Sequence, residues 1–217
     1  MQPPRVFGAG YSVYVRVVRL VLDEKRVTYE LVEIDVFSPD GPPPEHVAHR
    51  HPFGRIPAFE HDGFRLYETG AITRYVDEAF PGPALQPALP RPRARMNQVI
   101  SVLDNYGYRP LVWDLFVERV RAPAQGRAPD EVKIADALPK VGRCLDALVE
   151  LMDGGPYLAG PQLTLADLHA APMFIYACLA AEFALLLGQR PTLAAWLDRI
   201  VERPSVAATR SPFEPPG

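Results

Sequence analysis

The segment Gly54–Ile72 constrains this chain more than any other, because it predicts a β-hairpin and a helix start in immediate succession. Pro57 has no N–H, so it can open a strand but cannot lie inside a central one. The dipeptide Asp62-Gly63 separates two short apolar runs and predicts a tight turn, since both central residues of such a turn need positive φ. Thr69 is typical of a helix N-cap, and a helix start can bind an anion through its free N–H groups and its dipole.

Charge and hydropathy exclude several classes of protein. The 217 residues carry 23 basic and 26 acidic side chains, which give a formal net charge of −3, and no run of Lys or Arg could follow a phosphate backbone. No segment approaches the roughly 20 apolar residues that span a bilayer, and the N-terminus lacks a basic segment followed by an apolar one. We therefore expect a cytoplasmic protein without nucleic-acid or membrane partners.

The only two cysteines, Cys144 and Cys178, both lie in helical apolar patterns. This placement predicts buried core thiols rather than a disulfide framework or a set of metal ligands. No metal site is expected.

The N-terminal part of the chain predicts a βαβ unit followed by a ββα unit. A strand is expected at Arg5–Phe7, a helix at about 13–26 and a second strand at Thr28–Val36. The hairpin and its helix, which ends near Phe80, follow after a turn-rich connector and a short helical turn.

One pattern in this region imitates a dinucleotide-binding fingerprint. Gly8 and Gly10 follow the first strand, and Asp35 lies at the end of the second. The third glycine is missing, since position 13 is Val, and a hairpin follows in a chain too short for the usual six-stranded sheet. A Rossmann-type oxidoreductase is therefore disfavoured.

Proline-rich sequence from 81 to 92 marks a domain boundary, and everything beyond it has a helical pattern. Helices are expected at about 93–106, 110–121, 130–152, 164–179 and 191–202. The predicted domains are residues 1–82 and 93–217, joined by a linker at 83–92. Within the second, Thr164 and Asp167 form a capping box, whose role we expect to be folding.

These motifs together resemble a cytosolic glutathione S-transferase of the phi and theta-like, serine-type classes. The resemblance covers nearly the whole chain and depends on the order of its parts, which are His51–Phe59, Glu68-Thr69, the Pro-rich linker and Tyr157-Leu158-Ala159-Gly160 ahead of Ala166-Asp167. It implies a thioredoxin-like N-terminal domain with a mixed sheet in the order βαβ–ββα. It also implies an all-α C-terminal domain, a helical bundle that forms the pocket for the electrophile.

The resemblance implies a glutathione site in the N-terminal domain. Ile56, preceding a cis Pro57, would pair with the cysteinyl backbone of glutathione, while Glu68 and Thr69 would hold its γ-glutamyl ammonium and carboxylate. Phi-class proteins place His and Lys in the connector to hold the glycyl carboxylate, but here that segment is Pro42-Pro43-Pro44. Arg55 or His46 could replace them, and we expect reduced affinity for glutathione.

The resemblance also implies that Ser12 activates the glutathione thiol. A thiol has a pKa near 8.5, and both a hydroxyl hydrogen bond and a helix N-terminus favour the thiolate. Tyr11 is the alternative activator, because other classes use a tyrosine. No cysteine lies in this loop, which argues against the thiol-exchange chemistry of the omega and beta classes.

The remaining implied sites concern the second substrate and the partner subunit. We expect the electrophile near the start of the helical domain, with these candidates for its pocket: Tyr106, Tyr108, Arg109 and Trp113. Phe53 stands where several classes place an aromatic residue that inserts into a second subunit, so a homodimer is expected.

Two functions remain open at this stage. The first is a detoxification enzyme that uses glutathione as co-substrate, either conjugating it to a small hydrophobic electrophile or reducing a peroxide. The second is a non-catalytic binding or assembly protein on the same fold, with weak or no glutathione binding, which the three prolines make conceivable.

Overall fold

A computed structural model describes residues 2–214, and its first part contains a four-stranded mixed sheet with helices. In chain order the elements are β1 (Arg5–Phe7), α1 (Val13–Glu24), β2 (Glu30–Val32), α2 (Pro44–His49), β3 (Ala58–His61), β4 (Phe64–Tyr67) and α3 (Thr69–Ala79). The strand order is β2-β1-β3-β4, with β1 parallel to β2 and both other pairs antiparallel. The predicted βαβ–ββα order and mixed sheet are confirmed.

The hairpin between β3 and β4 forms where the sequence predicts it. Asp62 has φ of 48° and Gly63 of 82°, so both central residues have the positive φ that the tight turn requires. The second strand is shorter than expected, because only Glu30–Val32 pairs with β1. The flanking residues of the predicted Thr28–Val36 strand have no partner strand within the described sheet.

The second part of the chain is helical. Its elements are α4 (Pro90–Val102), two π-helical segments (Leu103–Gly107 and Arg109–Arg121), α5 (Ala122–Ala124), α6 (Glu131–Met152), α7 (Leu165–Ala177), α8 (Ala181–Gly188) and α9 (Pro191–Val201). The predicted all-α second domain is confirmed. The expected break between the helices at about 93–106 and 110–121 is wrong, since the backbone stays helical from Pro90 to Ala124. Widened π turns flank Pro110, which has no N–H to donate to a regular α-helical ladder.

The chain divides into two compact units, of which the first comprises the residues up to Leu85 and those from Pro204 onward, and the second is Gln86–Arg203. This division differs from the sequence-based boundary, which left all residues after 93 in the helical domain. The last helix, α10 (Pro204–Ala208), packs against α1 in the first unit.

The two cysteines have different environments. Cys144 is buried in α6, and burial raises the pKa of its thiol to about 11. Cys178 is exposed, so the expectation of a buried thiol there is wrong. It directly follows the last residue of α7, a helix whose 13 residues are all buried. Within residues 2–214, no helix combines the length and the apolar character that crossing a membrane requires.

Candidate functional site

Ser12 lies at the start of α1 and caps it. Its Oγ accepts a hydrogen bond from the Val15 N–H at 3.4 Å, and its carbonyl accepts the first helical bond, from Arg16 N–H at 2.9 Å. The serine is partly exposed. A hydroxyl and the free N–H groups of a helix start therefore face the same place, and both favour a negative charge there.

Gly8 brings the start of α1 close to the segment that precedes β3. A Cβ added at Gly8 would lie 2.4 Å from Val15 Cγ2 and 3.2 Å from Ile56 Cβ. Since real Cβ atoms do not approach other atoms so closely, only glycine allows this contact. Gly8 thus lies close to the side chains of both Val15 and Ile56.

Ile56 and Pro57 are joined by a cis peptide bond, and Pro57 is buried at the entry to β3. The carbonyl of the preceding residue, Arg55, accepts a hydrogen bond of 2.7 Å from the Nε2–H of His46. His46 is fully buried, so its imidazole holds this loop and is not available to an incoming ligand. The Arg55 side chain is exposed, which leaves it as the cation of this segment.

Glu68 has an unusual backbone conformation, with φ of 71° and ψ of 118°. It occupies the N-cap position of α3, and its side chain makes no capping hydrogen bond. The helix begins at Thr69 itself, so the prediction that Thr69 would be the N-cap is wrong by one residue. A non-glycine residue at such φ costs about 1–3 kcal/mol, and such residues concentrate at functional sites.

The sheet register brings these segments to one end of the sheet. Phe7 is opposite Ala58, and Ala58 is opposite Tyr67. One residue further on in β1, one earlier in β3 and one later in β4, the chain passes through Gly8, Pro57 and Glu68. The loop to Ser12, the Ile56-Pro57 segment and the α3 start are therefore neighbours, although they are far apart in sequence.

Tyr11, the residue before Ser12, donates a hydrogen bond from its hydroxyl to Asp35 Oδ1 at 2.7 Å. The same carboxylate oxygen accepts from the Phe37 N–H at 2.9 Å. Asp35 thus has a role that differs from the ribose contact of a dinucleotide fold, because it orients an aromatic ring beside the start of α1.

Phe53 is 71% exposed and belongs to a small aromatic cluster next to the candidate site. Its ring lies 6.2 Å from that of His51 and 6.3 Å from that of Tyr67, between centroids. His51 is only 2% exposed, and this burial lowers the pKa of its imidazole, while the nearby Glu68 carboxylate opposes that shift.

In the helical unit, two of the four predicted pocket residues meet in one cavity. Tyr106 and Arg109 line a cavity of about 480 Å³, together with Lys140, Arg143 and Cys144 of α6. Tyr108 and Trp113 do not contribute to that lining. Neighbouring residues of a helix point to different faces. The four side chains predicted to form one pocket therefore lie on more than one face of the helix.

The first unit brings together groups of three kinds at one end of its sheet. Ser12 and the α1 start favour a negative charge, Ile56 precedes the cis bond to Pro57, and Glu68 with Thr69 offers a carboxylate beside a hydroxyl and a helix start. Among the described residues, no group of three or more His, Cys, Asp or Glu side chains is arranged to hold a metal ion.

Comparisons with known proteins identify the family of this chain. Family models described as the glutathione S-transferase N-terminal and C-terminal domains match residues 6–84 and 105–204. Glutathione S-transferase F13 of Arabidopsis thaliana is 30% identical over 203 residues, which cover 93% of this chain and 92% of the relative.

Solved structures of the same family have the same fold. Glutathione S-transferase III in its apo form matches with a TM-score of 0.86 and 29% identity over 100% of both chains. The theta class glutathione S-transferase from Xanthomonas axonopodis pv. citri, with glutathione bound, matches with a TM-score of 0.80 and 27% identity over 96% of this chain and 97% of that one. The chain therefore belongs to the glutathione S-transferase family and is a glutathione transferase.

Proposed function

We propose that Ser12 activates the thiol of glutathione for attack on a small hydrophobic electrophile. The observation that carries this proposal is the convergence of Gly8, Pro57 and Glu68 at one end of the sheet, where the loop to Ser12 also begins. Glutathione bound to the Xanthomonas relative supports glutathione as the co-substrate.

Each segment would hold one part of the tripeptide. Ile56 would pair with the cysteinyl backbone in antiparallel fashion, with Pro57 fixing the turn into β3. Thr69 would receive the γ-glutamyl carboxylate through its hydroxyl and N–H, and Glu68 would accept the ammonium. The exposed, uncapped Glu68 side chain supports this role, because no capping bond competes for its carboxylate.

The Ser12 hydroxyl would donate a hydrogen bond to the sulfur and stabilise the thiolate. Lowering a thiol pKa from about 8.5 by about two units is worth roughly 2.7 kcal/mol and makes most of the thiol nucleophilic at neutral pH. The thiol proton passes to solvent, the sulfur forms the new bond to the electrophilic atom, and a leaving group departs with its electron pair. In attack on a peroxide oxygen the O–O bond would break and an alkoxide would leave and take up a proton. The sulfenic acid formed on glutathione would react with the thiol of a second glutathione to give the disulfide and water.

Tyr11 remains the alternative activator, and its hydrogen bond counts against it. Its hydroxyl donates its proton to Asp35, so it is engaged with a carboxylate rather than free to donate to a sulfur. We therefore assign activation to Ser12.

The test compares Ser12→Ala with Tyr11→Phe. The first variant should lose about 25-fold in kcat/KM for conjugation of glutathione to 1-chloro-2,4-dinitrobenzene at pH 7, because a thiol pKa that returns from about 6.5 to about 8.5 lowers the thiolate fraction from about three quarters to about 3%. Tyr11→Phe should lose less than about threefold. The pKa of the bound glutathione thiol, obtained by titrating the thiolate absorbance against pH, should rise only in Ser12→Ala. Full activity of Ser12→Ala would refute the assignment.

Binding of the glycyl carboxylate is the weak part of the proposed site. Pro42-Pro43-Pro44 offers no side-chain donor, and the buried His46 is bonded to a carbonyl, so Arg55 is the remaining cation. Calorimetry should give a weak dissociation constant that Arg55→Ala weakens further, with Arg65→Ala as the control. The complete absence of glutathione binding would favour a non-catalytic binding or assembly protein on this fold.

We propose that the pocket for the electrophile is formed by Tyr106, Tyr108, Arg109 and Trp113. The cavity that Tyr106 and Arg109 line supports this proposal. Because Tyr108 is on another face of that helix, Tyr106→Ala and Tyr108→Ala should have different effects on the KM for the electrophile. Equal KM values for both variants and the wild type would contradict this assignment.

The exposed Phe53 supports a homodimer in which its ring inserts into a second subunit. Sedimentation should therefore give a dimer for the wild type and a smaller species for Phe53→Ser. We propose that the protein acts as a detoxification enzyme in the cytoplasm.

A further inference from the structure

The Arg16 side chain ties the end of the chain to the helix that begins at Ser12. Arg16 lies in α1, one turn after Ser12, and its side chain is fully buried. Its Nη2 donates to the Val206 carbonyl and to Glu214 Oε2, both at 3.2 Å, and its Nε donates to Thr209 Oγ1 at 3.4 Å. These partners all come from the last residues of the described chain.

Glu214 completes this arrangement as the counter-ion of a buried guanidinium. Its Oε1 accepts from Arg16 Nη1 at 2.5 Å and from the Ser211 N–H at 2.8 Å. Ser211 Oγ in turn accepts from the Phe213 N–H at 3.3 Å. A buried charge that loses its partner is strongly destabilising, so Arg16 fixes the turn from Ser211 to Glu214 against α1.

This turn presents Phe213 to the residue that precedes Ser12. The centroid of the Phe213 ring lies 6.5 Å from that of Tyr11, and the two ring planes meet at 61°, which is an edge-on contact. The centroid of the Phe37 ring lies 6.4 Å from that of Tyr11. Phe37 is 52% exposed, and both other rings are partly exposed. Three aromatic rings thus form an incompletely covered apolar surface beside the proposed thiol site.

We propose that Phe213 is a specificity-determining residue of the transferase, and that Arg16 and Glu214 are its positioning residues. Phe213 forms part of the surface that receives the electrophile and favours flat, uncharged aromatic acceptors over small aliphatic ones. The inference rests on the proposed function, because it assumes that the electrophile reaches a sulfur held at Ser12.

The preference for aromatic acceptors follows from the chemistry of this surface. Aromatic pairs prefer edge-on or offset contacts with centroids about 4.5–7 Å apart, and they gain more than burial alone provides. The Tyr11 hydroxyl is engaged by Asp35, so its polar end is satisfied without the ligand. An aromatic acceptor can therefore pack against the edges and faces of these three rings and gains the additional energy of aromatic pairs. An aliphatic acceptor gains only the burial of its apolar surface.

The test measures how tightly two glutathione conjugates bind, by calorimetry on the full chain. Phe213→Ala should weaken binding of S-(2,4-dinitrophenyl)glutathione about three- to tenfold and binding of S-methylglutathione less than about twofold. Phe64→Ala is the matched control, because Phe64 is 51% exposed in the same unit and its ring packs on Tyr75. It should leave both affinities unchanged.

The positioning role is tested with Glu214→Gln, which keeps the shape of the side chain but removes its charge. It should lower the melting temperature by several degrees and reduce the aromatic preference as Phe213→Ala does. A lower melting temperature with an unchanged ratio of the two affinities would overturn the role of Glu214.

An unchanged ratio in Phe213→Ala, with both conjugates still bound, would overturn this inference and leave the proposed function intact. If the wild type bound neither conjugate, both proposals would fall.

Discussion

Two helix starts in this protein have a hydroxyl side chain as the cap but differ in burial and in hydrogen bonding. At α1, Ser12 is partly exposed and accepts one long bond, of 3.4 Å, from the Val15 N–H. At α7, Thr164 and Asp167 form a capping box and are 4% and 0% exposed. The Ser12 hydroxyl at the first helix start can make further hydrogen bonds, whereas the groups at the second start cannot.

The α7 start is saturated by its own protein. Asp167 accepts from the N–H groups of Leu158 and Thr164 at 2.8 Å, from Thr164 Oγ1 at 2.9 Å and from Trp196 Nε1 at 2.9 Å. All its acceptor capacity serves folding. A polar group with no further capacity cannot serve a ligand, whereas Ser12 keeps a donor for one, and this difference separates a structural cap from a candidate catalytic one.

The largest effect is expected from Asp167→Ala. It leaves several buried donors without an acceptor, and we expect a loss of about 4 kcal/mol in the free energy of unfolding. Urea unfolding measures this loss, with Asp136→Ala on the exposed side of α6 as the control. A loss below about 1 kcal/mol would contradict the view that this cap is a buried structural network.

Thr164→Val should have a smaller effect at the same helix start. It removes the hydroxyl that accepts from the Ala166 N–H at 3.3 Å and donates to Asp167, and the expected cost is about 1–2 kcal/mol. Thr192→Val, at an exposed position in α9, provides the matched control. Equal unfolding midpoints for the two variants would argue against a role of the hydroxyl.

Glu68→Gly extends the comparison to a third helix start, that of α3. Glycine adopts positive φ without steric cost, so the substitution should raise the free energy of unfolding by up to about 1 kcal/mol. At the same time, glutathione affinity should fall, because the carboxylate is lost. Urea unfolding measures the change in stability, and calorimetry on the same preparation measures the change in glutathione affinity. Glu78→Gly, in the body of α3, is the control and should lower the free energy of unfolding.

The smallest effect on stability is expected from Ser12→Ala. The lost capping bond is long and partly exposed, so the free energy of unfolding should fall by less than about 1 kcal/mol. The activity loss expected for the same variant is far larger. If unfolding changed as much as at Thr164, Ser12 would be a structural cap like the one at α7.

Local signals in the sequence were sufficient for the elements that border the candidate site. The Asp62-Gly63 turn, the helix after Ser12 and the capping box at Thr164 depend on residues within one turn of each other, and the structure contains all three. The order of these elements was also predicted from the sequence, whereas the mixed sheet and the fold class were implied by the resemblance to a known family.

Tertiary structure alone decided which of these residues meet. Sheet register aligned Gly8, Pro57 and Glu68, and Glu68 has a backbone conformation that its own propensity disfavours. The burial of Arg16 against Glu214 spans nearly the whole chain, so no local pattern could predict it. Propensity and capping are local energies that a sequence displays directly, whereas burial and register depend on residues that only folding brings together.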